Sequence, residues 1–352
     1  MNNSSPIELS VIIPCWNVAP WLPRCLEDVF AALPDRAEII AVDDGSRDET
    51  LEILENFAAK HKELKIFSQQ NFGVSAARNR ALDAASGEFI FFVDPDDGVE
   101  PGFFSEMLER IKETNADYCI CAFKTLHADG SAKDEKLKSV YEFTSNDAIV
   151  SGYVSRIIGY SFDSVNRFYS SEPLFARREM ASVWRACFRR SIIESAHIKF
   201  DETISLYEDA IFNAEYLLAA QSMTCIDKPL YRVTERDSGA MRTIPRNALK
   251  LARNKLNLLS ARKRLDALSN GKIWKMCEGS AVFSVLEILS LMVRFKLRWS
   301  DGRTILKEYL NSTETRSALH EFPLSVKKPI LSAAVLMLRL VYPRSIKKRK
   351  QA

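Results

Sequence analysis

The sequence predicts an α/β fold, a doubly wound and mainly parallel sheet followed by a C-terminal α-helical region. Over residues 8–123, short unbroken apolar runs alternate with amphipathic stretches, the pattern of strands buried on both faces and joined by crossover helices. From residue 247 onward that alternation stops and long helices replace it. Charge divides the chain at the same place. Residues 1–246 hold 27 Lys+Arg against 39 Asp+Glu, and residues 247–352 hold 22 against 7, although the whole 352-residue chain is only +3. The expected organisation is therefore an α/β domain over 1–246, with halves at about 1–123 and 124–246, and a basic helical region over 247–352.

The elements follow in order. Leu9–Pro14 (LSVIIP) is a continuous apolar run closed by proline, as a strand covered on both faces requires. Trp21–Leu33 spaces Leu22, Leu26, Val29 and Leu33 at helical intervals. Glu38–Val42 is a second strand, closing on Asp43-Asp44-Gly45-Ser46, and Asp48–Ala59 is a helix whose acidic first turn suits its dipole. Leu64–Ser68 is a strand, Ser75–Ala85 a helix and Glu88–Val93 a fourth strand, closing on Asp94-Pro95-Asp96-Asp97. Gly102–Thr114 is helical and Asp117–Phe123 is a strand. Polar stretches at Asp129–Ser139 and Tyr160–Ser171 make 124–180 loop-rich, with one short helix. Helices at Ser191–Ser195 and Tyr207–Ala219 and a strand at Ser222–Tyr231 complete the first part. The second part reads as helices at Asn247–Leu268, Lys272–Phe295, Asp301–Leu310 and Ser325–Val341.

Composition excludes several classes. With 47% apolar and 27% charged residues, 12 Gly and 13 Pro, the chain is neither disordered, collagen-like nor a disulfide miniprotein. Seven cysteines include only one close pair, Cys119 and Cys121, a poor zinc pattern, so reduced packed thiols in a cytosol are expected. Met1–Ile7 is polar, with no secretory pattern. The apolar stretches Ala281–Leu297 and Pro329–Tyr342 are interrupted by charge, so no spanning helix is expected. Residues 325–350 instead mix Lys327, Lys328, Arg339, Arg344 and Lys347–Lys350 with apolar residues at helical spacing, a composition suited to lying on an anionic bilayer. No reading motif accompanies this charge, so nucleic acid is not an expected partner.

Four constellations carry chemistry. In doubly wound sheets ligands bind beyond the carboxyl ends of the strands, and Asp43/Asp44 and Asp94/Asp96/Asp97 both fall there. Carboxylates two residues apart at a strand end can hold a hard divalent cation, which would neutralise a diphosphate leaving group. The alternative is a solvated turn. Asp43 and Asp44 can accept an N–H or a hydroxyl, or else serve as loop caps, a task open to Ser46 or Asp48 as well. In Asn71–Asn79, Gly73 allows a tight turn, Ser75 a cap, and Arg78 a guanidinium aimed at a phosphate or at the acids. In Leu206–Phe212, Glu208 and Asp209 open a helix whose dipole favours their ionised forms.

Taken together, SVIIPCWN (10–17), VDDGSRDET (42–50), NFGVSAARN (71–79), FFVDPDD (91–97) and YEDAIF (207–212) resemble the family 2 nucleotide-sugar glycosyltransferases of the GT-A fold, a Rossmann-like architecture, and in particular those of bacterial surface-polysaccharide synthesis. The resemblance covers about residues 8–240 and makes 1–123 the nucleotide-sugar half and 124–246 the acceptor half. It implies that Pro14 and Trp16 line the base pocket and that Asp44 reads a uracil ring with Asp43 in support. Arg78 would approach the base or the phosphates. Asp96 would ligate the metal, with Asp94 beside it as ribose or metal partner, and Asp97 would face the sugar. Arg236 and Ser238 would grip the diphosphate. Asp209, with Glu208 before it, matches the general base. Trp16 departs from the more usual Tyr, and Ala210 from a bulkier residue.

The implied reaction is an inverting transfer from a UDP-sugar to a saccharide hydroxyl, assisted by Mg²⁺ or Mn²⁺, in surface-polysaccharide synthesis. The acceptor is expected to be linked to a polyprenyl diphosphate, and the enzyme to sit on the cytoplasmic face of the plasma membrane through its basic helices. The alternatives are a non-catalytic nucleotide-sugar-binding scaffold and a Mg²⁺-dependent phosphoacceptor receiver. A receiver is about a third of this length and needs fewer acids.

Overall fold

Strand β1 (Leu9–Cys15) is buried at every position, which is what an unbroken apolar run demands of a central parallel strand. In the computed structural model, which describes residues 6–173, 178–236, 248–294, 297–325 and 328–341, the chain divides into two compact units. One is Met1–Val154 with Glu179–Gly239, the other Ser155–Arg178 with Ala240–Ala352.

The first unit is a three-layer α/β structure. After β1 come α1 (Leu22–Ala32), β2 (Ala37–Asp43), α2 (Thr50–Ala58), β3 (Leu64–Ser68), α3 (Val74–Ala84), β4 (Phe89–Phe92), the short β5 (Gly98–Val99), α4 (Phe103–Glu113), β6 (Tyr118–Leu126) and β7 (Ala132–Glu135). A short helix, α5 (Asn146–Ile149), runs into a π-helical turn at Val150–Val154. The second unit receives α6 (Ser155–Ile157) and α7 (Phe162–Tyr169), and the chain then re-enters the first as β8 (Ala186–Arg189), α8 (Arg190–Ser195), α9 (Glu208–Ala219) and β9 (Met223–Thr234). The strands form one sheet in the order β3-β2-β1-β4-β8-β6-β9-β5, with β7 on β6. Pairings β1/β2, β1/β4, β2/β3 and β6/β9 are parallel, and β8 is antiparallel to both of its neighbours. The mainly parallel α/β architecture thus holds, with a mixed second half. One apolar core, including Val11, Leu26, Ile39, Phe91 and Phe104, packs α1 and α4 on the sheet. An aromatic block of Phe92, Phe188, Phe200 and Phe212 lies beneath α9, with Phe200 and Phe212 stacked at 4.0 Å. All seven cysteines are free and buried.

The second unit adds α10 (Ala248–Leu268), α11 (Lys272–Arg294), α12 (Trp299–Asn311), α13 (Thr313–Glu321) and α14 (Pro329–Val341). Its core joins Val165 and Tyr169 of α7 to Val282, Val285, Ile288, Tyr309 and Leu319. Val165 and Tyr169, grouped by sequence with the acceptor half, therefore belong with the helices that bury them. Gly159 and Gly279 allow that contact, because a side chain at Gly279 would come within 2.8 Å of the Tyr160 carbonyl. Among the described residues Lys272–Val293 is long and apolar enough to cross a membrane by length and composition, although no such stretch was expected. Most of it is buried inside the unit, as befits a core helix.

Candidate active site

The parallel half of the sheet brings its loops to one end. Pro14 lies within β1, paired with Val42 and buried, so it supports the site from below. Trp16, just beyond the strand, is exposed. Asn17 follows in the left-handed region at φ 51° and ties this loop to the next. Its N–H donates to Ser46 Oγ (3.0 Å), and its Oδ1 accepts from Arg47 N (2.8 Å). Asp43 ends β2 and accepts from Ser46 N, a structural role.

Asp44 is buried and accepts three hydrogen bonds, from Gln69 Nε2 (2.8 Å), Phe72 N (2.9 Å) and Gly73 N (2.8 Å). A carboxylate offers about four acceptor positions, which leaves one for an N–H of a ligand. Gly45 makes the two loops' approach possible. Its φ is +70°, and a Cβ there would lie 2.9 Å from Asn71 N. Gly73, at φ 97°, is the N-cap of α3. Ser75, expected as a cap, is instead buried in the first turn.

Arg78 is the hub. It is buried on α3 and lies 5.2 Å over the Phe200 ring. Nη1 donates to Asp209 Oδ1 (2.7 Å) and Nη2 to Asp94 Oδ1 (2.9 Å), with Glu208 at 3.7 Å. Sequence reasoning left open whether Arg78 meets phosphate or acid. The structure engages it with acids from two distant parts of the sequence. Burial opposes its charge, but Asp209, Asp94 and Glu208 outweigh that and raise its pKa.

Past β4, the three aspartates separate in role. Asp94 and Asp96 side chains are 27% and 34% exposed, whereas Asp97 is only 7% exposed. Asp97 accepts from Thr234 N (3.0 Å) and from the Tyr231 hydroxyl (3.2 Å). These two donors tie Asp97 to β9. The same Tyr231 hydroxyl accepts from Asp94 N (3.1 Å). Arg236, 4.5 Å over Trp21, donates to the Asp96 carbonyl (2.8 Å) and lies 2.5 Å from Asp96 Oδ2. It braces the acid cluster in this structure. Ser238 lies outside the described residues.

Asp209 and Glu208 begin α9, preceded by Tyr207 at φ 67°. Asp209 Oδ2 accepts from Val183 N (3.2 Å), and Asn213, one turn on, bonds the Ala181 and Asp209 carbonyls. Burial pushes the Asp209 pKa up to about 7, Arg78 pulls against it, and Glu208 and Asp94 reinforce it. A carboxylate poised near neutrality is matched to general-base work. Burial and Asp94 raise Asp96, and burial with both neighbouring acids pushes Asp97 well up.

Asp94 and Asp96 could hold a divalent cation. No group of three or more ligating side chains gathers among the described residues, but Mg²⁺ commonly takes one or two carboxylates plus substrate phosphates. The mutual repulsion that helps to raise Asp96 is what a cation between the pair would relieve. Tyr231, Val183 and Trp21 were missed as site residues. The only signal was a polar-tipped aromatic at the end of a buried strand.

A mainly parallel sheet with acids at its strand ends, followed by helices, is the GT-A-like architecture. The chain belongs to glycosyl transferase family 2, whose family model matches residues 10–190, just over half of it. It is 28% identical over 223 residues to the uncharacterized glycosyltransferase EpsJ of Bacillus subtilis, covering 63% of this chain and 60% of EpsJ. It is 27% identical over 248 residues to the minor teichoic acid biosynthesis protein GgaB of the same species, covering 68% of this chain and 24% of GgaB. The match thus spans about three fifths of EpsJ and a quarter of GgaB. Among solved structures, S. aureus TarS 1-349 in complex with UDP-GlcNAc aligns with a TM-score of 0.60 at 21% identity, covering 93% of this chain and 88% of that one. That likeness is one of fold.

Proposed function

We propose that the protein is an inverting, metal-dependent glycosyltransferase that moves a sugar from a UDP-sugar to a hydroxyl of a lipid-linked saccharide in surface-polysaccharide synthesis. The observation that carries this reading is the Arg78 guanidinium, which holds Asp94 at 2.9 Å and Asp209 at 2.7 Å. One side chain thus joins the acid pair suited to a diphosphate to the acid suited to a base. The UDP-GlcNAc held by TarS supports the donor class, and the teichoic acid role of GgaB supports the pathway class.

Asp209 accepts the proton of the acceptor hydroxyl as that oxygen bonds to the anomeric carbon. The anomeric carbon–phosphate oxygen bond breaks, and its electron pair leaves with UDP. Asp44 offers its remaining acceptor position to the base N–H, beside the exposed Trp16. Asp94 and Asp96 would hold Mg²⁺ or Mn²⁺, which when bound would neutralise the diphosphate. Arg236 and Arg78 orient these acids. The basic helical region, net +15 over residues 247–352, supports a peripheral site on the inner membrane leaflet, where the acceptor's lipid would be anchored.

The test pairs turnover with calorimetry. Asp209→Asn should lower UDP-sugar turnover by about 10²–10⁴-fold yet keep UDP binding that EDTA abolishes and Mn²⁺ restores. Near wild-type turnover would remove Asp209 from the role, and EDTA-insensitive turnover would remove the metal.

A further inference from the structure

We propose, resting on the reading of Asp209 as base, that the buried Glu179–Arg185 ion pair is a positioning device for that carboxylate. The pair closes the 179–185 loop, which donates to one of its oxygens. Asp209 is held through both, Oδ1 by Arg78 (2.7 Å) and Oδ2 by the Val183 N–H (3.2 Å). A carboxylate gripped at each oxygen keeps its plane, and a donated N–H favours its ionised form. Residues 179–185 lie outside helix and strand, so no ladder of their own fixes the Val183 amide.

The ends of the loop are tied together in the core. Arg185 Nη2 donates to Glu179 Oε2 (2.8 Å), with the two side chains 1% and 2% exposed. Glu179 Oε1 in turn accepts from the Tyr141 hydroxyl (2.7 Å) and from Lys138 N (2.5 Å). Arg185 Nε finds no partner among the described residues. A buried ion pair with an unsatisfied donor is a poor source of stability, since apolar side chains of similar volume often serve as well or better. Its place in the loop gives it another use. Trp184 is pinned separately, stacked on Tyr231 at 4.4 Å and edge-on to Phe123 at 5.2 Å. The Ala181 carbonyl accepts from Asn213 (2.8 Å), one turn after Asp209 on α9. The stretch from Glu179 to Val183 therefore runs from the ion pair to the base, and closure by Arg185 keeps its amide on Oδ2.

A double-mutant cycle on the full-length protein, reading kcat and donor KM for a UDP-sugar, tests this. Glu179→Gln should lower kcat about 10–10²-fold with donor KM little changed, because Asp44 and the acid cluster keep their partners. In the Asp209→Asn background the same substitution should lower the residual turnover no further, because its effect passes through the carboxylate already lost. Arg185→Lys, which keeps a buried cation, is carried through the same cycle, so that the comparison stands where circular dichroism shows the glutamine variant unfolded. An equal loss in both backgrounds makes the pair a plain structural element and overturns the proposal. Wild-type kcat in the folded variants overturns it as well, and so does a rise in donor KM at unchanged kcat, which would place the effect on the donor side. Each of these leaves Asp209 as base. Near wild-type kcat in Asp209→Asn alone removes the base, and the proposal with it.

Discussion

Asp209 is a carboxylate whose charge the fold resists and whose proposed role as base needs it. A base must be ionised to accept a proton, so turnover should fall as pH drops through about 7. Arg78 favours the ionised form, so Arg78→Gln should move that acid limb to higher pH, as a pH–rate profile would show. Stability carries the opposite sign. The folded pKa of about 7 lies above the ordinary 3.8, so between those values the folded state holds a proton that the unfolded state has released. Stability from this group is therefore lost as pH rises through the window. Asp209→Asn should raise Tm relative to wild type at pH values above about 7 and lose that advantage near the ordinary carboxylate range, measured by calorimetry. The acids that Arg78 and Arg236 gather were legible in the sequence, because they close a strand or open a helix. Partners were less so. Arg78 meets Asp209 across 131 positions, and Tyr231 and Thr234 reach Asp97 from β9. Local sequence encodes neither.

At the scale of elements, the turn after β2 and the entry to α3 behave as one piece. Gly45→Ala would force a left-handed alanine and a Cβ against Asn71 N, costing about 1–3 kcal/mol and displacing the Phe72 and Gly73 amides from Asp44. Lower urea midpoint and weaker UDP binding should appear together. Tyr231→Phe removes the hydroxyl shared by Asp94 N and Asp97, with about 1–3 kcal/mol of lost stability and weaker donor binding by calorimetry. The parallel strands were readable because burial on both faces leaves an unbroken apolar run. Strand β8 was not, since its four residues take their place only by antiparallel pairing with β4 and β6. Helix α13 was also absent from the sequence reading, its polar composition giving little periodicity.

At the scale of the whole molecule, the change in charge and period near residue 246 marks where the helices resume, but not which residues they hold. Helix α7 is short and polar on one side, and its allegiance is set by Val165 and Tyr169, the latter donating to the Pro323 carbonyl at 3.1 Å. A truncation after residue 240 should therefore aggregate, because it strips α7 of its cover. Replacing 155–178 by a short polar linker in the same truncation should remove that aggregation by light scattering. The interleaving of the two units also dictates an order of birth. On the ribosome, the residues that complete the sheet emerge before α10–α14, so α7 must wait, its greasy side uncovered, until translation is nearly finished. Newly made chains should thus expose an apolar face that the finished protein no longer displays.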